Sequence, residues 1–537
     1  MPDGMKRSVT GMGRFVNPDS VVFREEVNSE IYVDKSGVIN CTNKVICTTQ
    51  KFICNSRPRR FGKSMTADML VAYYSKGADS RDLFSSLEIS SSPDFEKHLN
   101  KYDVIHFDVQ GFVELAGNPN KVVSLIRKEV IEELGQYYPE CVAEKEESLL
   151  NVLAKINAKT GNQFVVIIDE WDVLIRDDAK NRKVQDEYIA FLRGIFKGSE
   201  PNRVIALAYM TGILPIKREK TQSALNNFDE FTIIDAGPFA RYVGFTEEEV
   251  RSLCGKYNRK FEDVKRWYDG YRLDEYHIYN PRAVVNLMML GKYRSYWSDT
   301  ANSEIIVPLI NMNYAGLKEA VIEMLSGGEV PVIVQTFKND TVSISSRDNV
   351  LTYLIHLGYL AYNEKARTAF IPNEEIRQEM GYLVADNPWK EMTAFINDSK
   401  KILEATKRMD GEAVAETIEK IHESYVSSLE YNDENSLSSV VTVAYLSSME
   451  RYFKPVRELP SGKGFCDVVY IPKPEGRADN PALVIELKWD KSAGGAIEQI
   501  KAKNYPDSIK DYTDNILLVG ISYDRKTKKH ECRIEKL

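Results

Sequence analysis

The stretch KFICNSRPRRFGKSMTADMLVAYY, residues 51–74, decides the fold of the first half of the chain. It opens on a short apolar run and closes on an apolar helical pattern, with Arg, Pro and Gly between. A buried strand therefore runs through a tight loop into a helix. Such a loop cradles phosphate when backbone N–H groups face the anion at the helix N-terminus. A lysine must also reach the terminal phosphates, and a hydroxyl must meet Mg²⁺. Gly62, Lys63 and Ser64 supply the end of that pattern. Its first glycine position holds Arg57, and Pro58, Arg59 and Arg60 stand where small residues are usual. Arg59, Arg60, Phe61, Gly62, Lys63 and Ser64 are the candidate nucleotide contacts of the loop.

Working outward, DVIHFDV (103–109), FVVIID (164–169) and RVIALAYMTG (203–212) read as further buried strands, short and rich in Val and Ile. Amphipathic stretches at 121–136 and 184–197 lie between them. Strands alternating with helices predict an α/β domain over roughly 20–235, its parallel sheet covered on both faces. A phosphate loop needs an acidic residue at the end of a neighbouring buried strand, and FVVIIDEWD provides Asp169 and Glu170. Asp169 is expected to hold the Mg²⁺ shell of bound ATP together with Ser64, and Glu170 to polarise the attacking water. Thr211, at the end of the next strand, is placed to sense the γ-phosphate. Arg57, Arg59 and Arg60 either bind phosphate or pack against acidic neighbours.

From about 240 the pattern turns helical. Thr246 and Glu249, three residues apart, form a capping box at the head of TEEEVRSLCGKY. SSRDNVLTYLIHLGYLAYNEKARTAFIPNEEIRQEM reads as a helix, a two-stranded hairpin around Asn363–Thr368 and another helix. This winged-helix-like region, within 240–385, serves either as a lid on the ATPase or as a nucleic-acid contact.

Several long motifs resemble a known family. YVDKS (32–36), SRPRRFGKS (56–64), VVIIDEWD (165–172), MTGILPI (210–216) and SALNNF (223–228) look like the AAA-ATPase-like domain of bacterial two-domain proteins. RWYDGYRLDEYHIYNPRAVVN (266–286), YWSDTAN (296–302) and LIHLGYLAY (354–362) continue the match. In that family a PD-(D/E)XK nuclease domain follows the ATPase, and the loop likewise lacks its first glycine. The resemblance implies a nuclease-like domain at 390–537, with ATP and Mg²⁺ as cofactors.

The residues there carry the chemistry independently. Metal-dependent phosphodiester cleavage needs two carboxylates on Mg²⁺ and a lysine near the nucleophilic water. In ALVIELKW (482–489), Glu486 and Lys488 are two apart and share one face of a strand. Charges in so apolar a strand are costly unless exposed, paired or catalytic. Two aspartates compete to partner Glu486. Asp467 lies in the β-rich run FCDVVYIP, whereas Asp479 lies in the turn GRADNP, which superficially resembles the family's glycine–aspartate motif. Asp467 is the better placed, since a hairpin would bring it beside Glu486. Glu434, ahead of the helix SLSSVVTVAYLS, is a further acidic candidate. Gln499 and Tyr505 in AIEQIKAKNY resemble the helix that flanks the site in the family.

Composition limits what remains. The chain has 537 residues, 43% of them hydrophobic and 28% charged, enough for several domains with full cores. Lys and Arg number 71 against 79 Asp and Glu, a net charge of −8, which excludes attachment to nucleic acid by bulk charge. No apolar run reaches the ~18 residues of a membrane helix, and the N-terminus MPDGMKRSVTGMGR lacks a signal-peptide core. Seven cysteines without a CxxC pair are expected to stay reduced in the cytoplasm. The leading expectation is an ATPase coupled to a Mg²⁺-dependent nuclease acting on nucleic acid, DNA before RNA, with homo-oligomers allowed. Two other readings stay open: an ATP-driven switch whose nuclease-like domain binds a partner without cutting it, and a DNA-binding regulator.

Overall fold

The computed structural model describes residues 13–143, 145–177, 181–216, 218–219, 222–223, 225–297, 307–309, 311–312, 314–339, 342–385, 390–425, 434–461, 464–509 and 513–537. It separates into two compact units. The first runs to residue 259 and takes in 271–291 and 333–358; the second comprises 260–270, 292–332 and 359–537. The stretch 240–385, expected as a middle segment, is thus divided between them, because its strands complete sheets in both. Phe245–Thr246 pairs with the hairpin of Tyr271–Leu273 and Tyr276–Tyr279 in the first unit. Val330–Pro331 pairs with Thr368–Phe370 of the hairpin Ala361–Asn363/Thr368–Phe370 in the second. The helix, hairpin and helix read from 347–380 all form, yet the helix Arg347–Leu357 belongs to the first unit and the hairpin to the second. The capping box forms as expected: Thr246 Oγ1 accepts from Glu249 N, and the Glu249 carboxylate from Thr246 N.

The first unit is built on a five-stranded, wholly parallel sheet. Its strands are β1 (Phe52–Ser56), β2 (Asp103–Asp108), β3 (Phe164–Asp169), β4 (Ile205–Gly212) and β5 (Asp229–Phe231), in the order β2-β3-β4-β1-β5. Successive residues of a strand face opposite ways, and both faces are covered. Phe52, Cys54, Phe107, Phe164, Val166 and Met210 feed one core; Ile53, Val104, Val165, Ile167 and Tyr209 feed the other. Helix α1 (Lys63–Tyr74) contributes Leu70 and Tyr74 to the second core, while α2 (Val122–Tyr137), α3 (Leu149–Thr160) and α4 (Arg182–Phe196) contribute Ile126, Leu153 and Leu192 to the first. Because all five strands run the same way, the loop after β1 and the acidic ends of β2 and β3 meet at one edge.

The second unit ends in a mixed sheet, β6 (Val456–Ser461), β7 (Gly464–Tyr470), β8 (Ala482–Trp489), β9 (Ile516–Asp524) and β10 (Lys529–Lys536), in sequential order. Only β8 and β9 are parallel. A parallel pair needs a crossover, and α5 (Ala493–Ala502) supplies it. A Cβ on Gly520 of β9 would meet Ala493 O at 2.3 Å, so glycine lets this helix sit directly on the sheet. The β-rich run FCDVVYIP and the strand ALVIELKW are present as β7 and β8. The two edge strands, β6 and β10, were not foreseen.

Candidate functional site

Arg57 follows β1, its backbone N–H donating to Gly212 O of β4 at 3.0 Å. Its side chain turns inward and is fully buried, with Nη1 on Ser56 O and with Nε and Nη2 unpartnered. Burial lowers its pKa to about 10. The loop then climbs through Arg60 and Gly62, both left-handed (φ 68° and 89°), and a Cβ on Gly62 would meet open space. What Gly62 supplies is the backbone angle, which side chains disfavour, and this lifts the loop over the N-terminus of α1. Positive backbone dipoles therefore face a cavity of about 820 Å³, within the usual ~300–1,000 Å³ of ligand sites. Arg59, Arg60, Phe61, Gly62, Lys63, Ser64, Asp169 and Glu170 all line it. Its apolar wall includes Ile31, Val33, Met69, Phe245 and Val285. Phe61 is buried edge-on against Tyr271.

Lys63 is 5% exposed; its Nζ donates to Pro58 O at 3.1 Å and lies 3.9 Å from Glu170. Burial lowers its pKa, while Glu170 and Asp169 oppose the shift. Asp169 is buried and hydrogen-bonded to Ser64; desolvation raises its pKa against that bond and the Lys63 charge. Acids crowd this edge. Asp108, opposite Asp169 in the β2–β3 register, is raised to about 6 by burial and then by Asp169. Asp68 of α1 is raised to about 7, again by burial first and then by Asp169 and Asp108. One buried and two half-buried carboxyl groups beside a serine hydroxyl form an oxygen-donor set suited to Mg²⁺.

Glu170 adopts φ 46°, a strained angle for a side-chain-bearing residue. Two features hold it: its N–H donates to Asp169 Oδ1 at 2.9 Å, and Arg176 Nη1 donates to its carboxylate at 3.3 Å. Arg176, 3% exposed in its side chain, also binds Asp172 at 3.1 Å and Asp177 at 2.8 Å. Asp172 is fully buried and accepts from Ile213 N and Leu214 N, tying β3's exit to β4's. A Cβ on Gly212 would come within 2.4 Å of it. Sequence reading missed both residues. The signal was present: an Asp and an Arg four apart, bracketing Val173, Leu174 and Ile175, face each other on a helix. Thr211 is fully buried, its hydroxyl unpartnered, and it is absent from the cavity lining.

In the second unit, the β7–β8 register pairs Val468 with Ile485, so the next pair toward the hairpin's open side is Asp467 and Glu486. Leu487 N donates to Asp467 Oδ2 at 2.7 Å. Glu486 is 1% exposed and its Oε1 accepts from Lys488 Nζ at 3.0 Å and from Gln499 Nε2. Gln499 also reaches the buried Tyr505 hydroxyl at 3.4 Å. Glu486 Oε2 has no hydrogen-bond partner among the described residues. Burial, then the Asp467 charge, raises the Glu486 pKa to about 7 against the pull of Lys488 and Lys503. Lys503, four residues beyond Gln499, was not singled out from the sequence. Asp479 lies exposed in its turn, its N–H on Gly476 O. Glu434 opens the helix Glu434–Ala444, and its side chain lies outside the described residues.

Comparison with known proteins agrees with the architecture that the motifs suggested. Residues 23–221 match the model of a predicted AAA-ATPase family, and residues 432–532 match that of the PD-(D/E)XK nuclease superfamily. An uncharacterised protein encoded in the vnfD 5′ region of Azotobacter chroococcum mcd 1 is 21% identical over 529 residues, 93% of each chain. The ORC2 protein of Aeropyrum pernix, solved in its ADPNP and ADP complexes, is 11% identical with a TM-score of 0.30, covering 67% of this chain and 97% of its own. A DNA replication initiation factor gives 11% identity and a TM-score of 0.25, covering 79% and 95%. Among the described residues no helix is long and apolar enough to cross a membrane.

Proposed function

We propose that this chain, an AAA-ATPase-like domain followed by a PD-(D/E)XK nuclease superfamily domain, couples ATP hydrolysis to Mg²⁺-dependent cleavage of phosphodiester bonds in nucleic acid. The observation that carries the reading is Glu486: a buried carboxylate beside a second one, with one oxygen held by Lys488 and Gln499 and the other unpartnered. A buried acid so placed is costly unless a cation meets it. Asp467 and Glu486 offer hard oxygen ligands of the kind Mg²⁺ accepts. When bound, the ion supplies charge neutralisation at the phosphodiester and a more acidic water. Lys488 holds Glu486 in place and orients that water; Gln499, supported by Tyr505, fixes the carboxylate from the other side.

In the first unit Lys63 exchanges Pro58 O for the terminal phosphates, and Arg59, Arg60, Phe61 and Gly62 shape the loop around them. Ser64 and Asp169 would hold the ion that accompanies ATP. Glu170 orients the attacking water, and Arg176 fixes Glu170. Thr211, buried behind this edge, sets the end of β4 without touching the nucleotide. The test is a cleavage screen on plasmid, single-stranded DNA and RNA, with Mg²⁺ or Mn²⁺ and with or without ATP, using Glu486→Ala as control. Metal- and Glu486-dependent cleavage supports the proposal. Metal binding and ATP turnover with no cleavage of any substrate would leave an ATP-driven switch in its place.

A further inference from the structure

The β6–β7 hairpin carries an apolar side chain that neither the fold nor the chemistry above uses. Phe465 is 61% exposed. It stands two residues before Asp467 on β7, so it projects from the same face, about 7 Å along the strand. The register seats it opposite Pro460 of the edge strand β6. Its neighbours Cys466 and Val468 point the other way and are buried. The ring therefore gives little to the core and is largely open on the strand face that carries Asp467. Continued past Val468–Ile485, the antiparallel register brings Lys488 of β8 toward Phe465's end of the strands, where it bonds Glu486, and Lys503 acts on Glu486 electrostatically.

Resting on the nuclease reading above, we propose that Phe465 is a stacking platform for an unpaired nucleobase, so that this site takes single-stranded or locally unpaired nucleic acid. An exposed aromatic ring binds any base through its π-face while cations follow the backbone phosphates. In a duplex both base faces are already stacked, so only an unpaired nucleotide can cover the ring. The ring, the two carboxylates and Lys488 thus share one face of β7 and β8, so that a base on the ring brings its own phosphate beside the carboxylates and the lysine.

The test uses the full chain. Binding of a labelled single-stranded oligodeoxynucleotide and of the same sequence as a duplex is measured in EDTA, which prevents cleavage, for the parent, Phe465→Ala and Phe465→Trp. Base–aromatic stacking is worth about 1–3 kcal/mol, so Phe465→Ala should weaken single-strand binding roughly 5- to 150-fold. Duplex binding should change by less than about twofold, and Phe465→Trp should retain single-strand affinity. Unchanged single-strand affinity in Phe465→Ala, or equal loss on both forms, overturns the proposal. So does a parent that sediments as a dimer without nucleic acid and becomes monomeric with Phe465→Ala, since the ring would then face a second copy. Phe465-dependent binding by a protein that cleaves nothing with metal would sink the nuclease reading and leave the platform standing. Metal-dependent cleavage with Phe465-independent binding would do the reverse.

Discussion

At the cavity of the first unit, Lys63, Glu170, Asp172 and Arg176 already hold one another, with Lys63 Nζ 3.9 Å from Glu170 and Arg176 shared between Glu170 and Asp172. At the carboxylate face of the second unit, Glu486 has a single lysine, a glutamine and one oxygen with no partner. In the first, Lys63 and Arg176 are balanced by Glu170 and Asp172 within an acid-rich edge, and an anionic ligand enters by exchanging partners. The second leaves one buried carboxylate oxygen open to a cation. The contrast teaches which ligand each site is built for: a phosphate group that displaces a lysine's placeholder, and a metal that completes a carboxylate.

The largest effect should come from breaking the balanced cluster. Arg176→Met leaves Asp172 buried without its cation, which should destabilise the first unit by about 3–5 kcal/mol. Pairing it with Asp172→Asn should recover part of that loss in thermal unfolding. A melting point equal to the parent's would show that the cluster is not the brace described. Next, Lys63→Ala removes a charge-assisted contact worth about 1.5–3 kcal/mol and should weaken ATP binding roughly 10- to 150-fold. Calorimetry giving equal ATP affinity would detach this loop from the nucleotide.

The second site should respond to pH in the opposite sense from an ordinary acid. Burial pushes its Glu486 carboxyl up to about 7, from about 4.5 in an unfolded chain, so folding takes up a proton between those values. The stabilisation is fully present below about 4.5 and is lost as pH rises toward 7. Glu486→Gln should remove that slope from the stability–pH curve. A metal must find the carboxylate ionised. Mg²⁺ affinity should therefore be roughly tenfold weaker at pH 6 than at pH 8, a difference of about 1.4 kcal/mol. A pH-independent Mg²⁺ affinity would break the link between Glu486 and the ion.

Much of this was legible because buried parallel strands need unbroken apolar runs. The runs quoted at 51–56, 103–109, 164–169 and 203–212 became β1 to β4 within a residue or two. The helical crossover after ALVIELKW followed from the same logic. Edge strands obey no such need. In KHECRIEK only His530 is fully buried along β10, and VRELPS carries a proline and a glutamate in β6; neither pattern separates from a loop. The division of 240–385 between two units was hidden for another reason. Local pattern predicts a helix or a hairpin but not which core receives it. Arg176 escaped because its role is set by the turn at Glu170, which brings it back beside the cavity. Lys503 escaped because a lysine near a helix end is unremarkable until Glu486 is known to lie near it.

The account turns on which carboxylates face the metal, and substitution of the two rival aspartates measures it most directly. Asp467 lies one step past the β7–β8 ladder, where it accepts from Leu487 N and its charge acts on Glu486, whereas Asp479 is exposed in a turn. Mg²⁺ binding and nucleic-acid cleavage should both be lost in Asp467→Asn. Both should survive in Asp479→Asn, with stability changed by less than about 0.5 kcal/mol. Cleavage retained by Asp467→Asn and lost by Asp479→Asn would contradict the site as described.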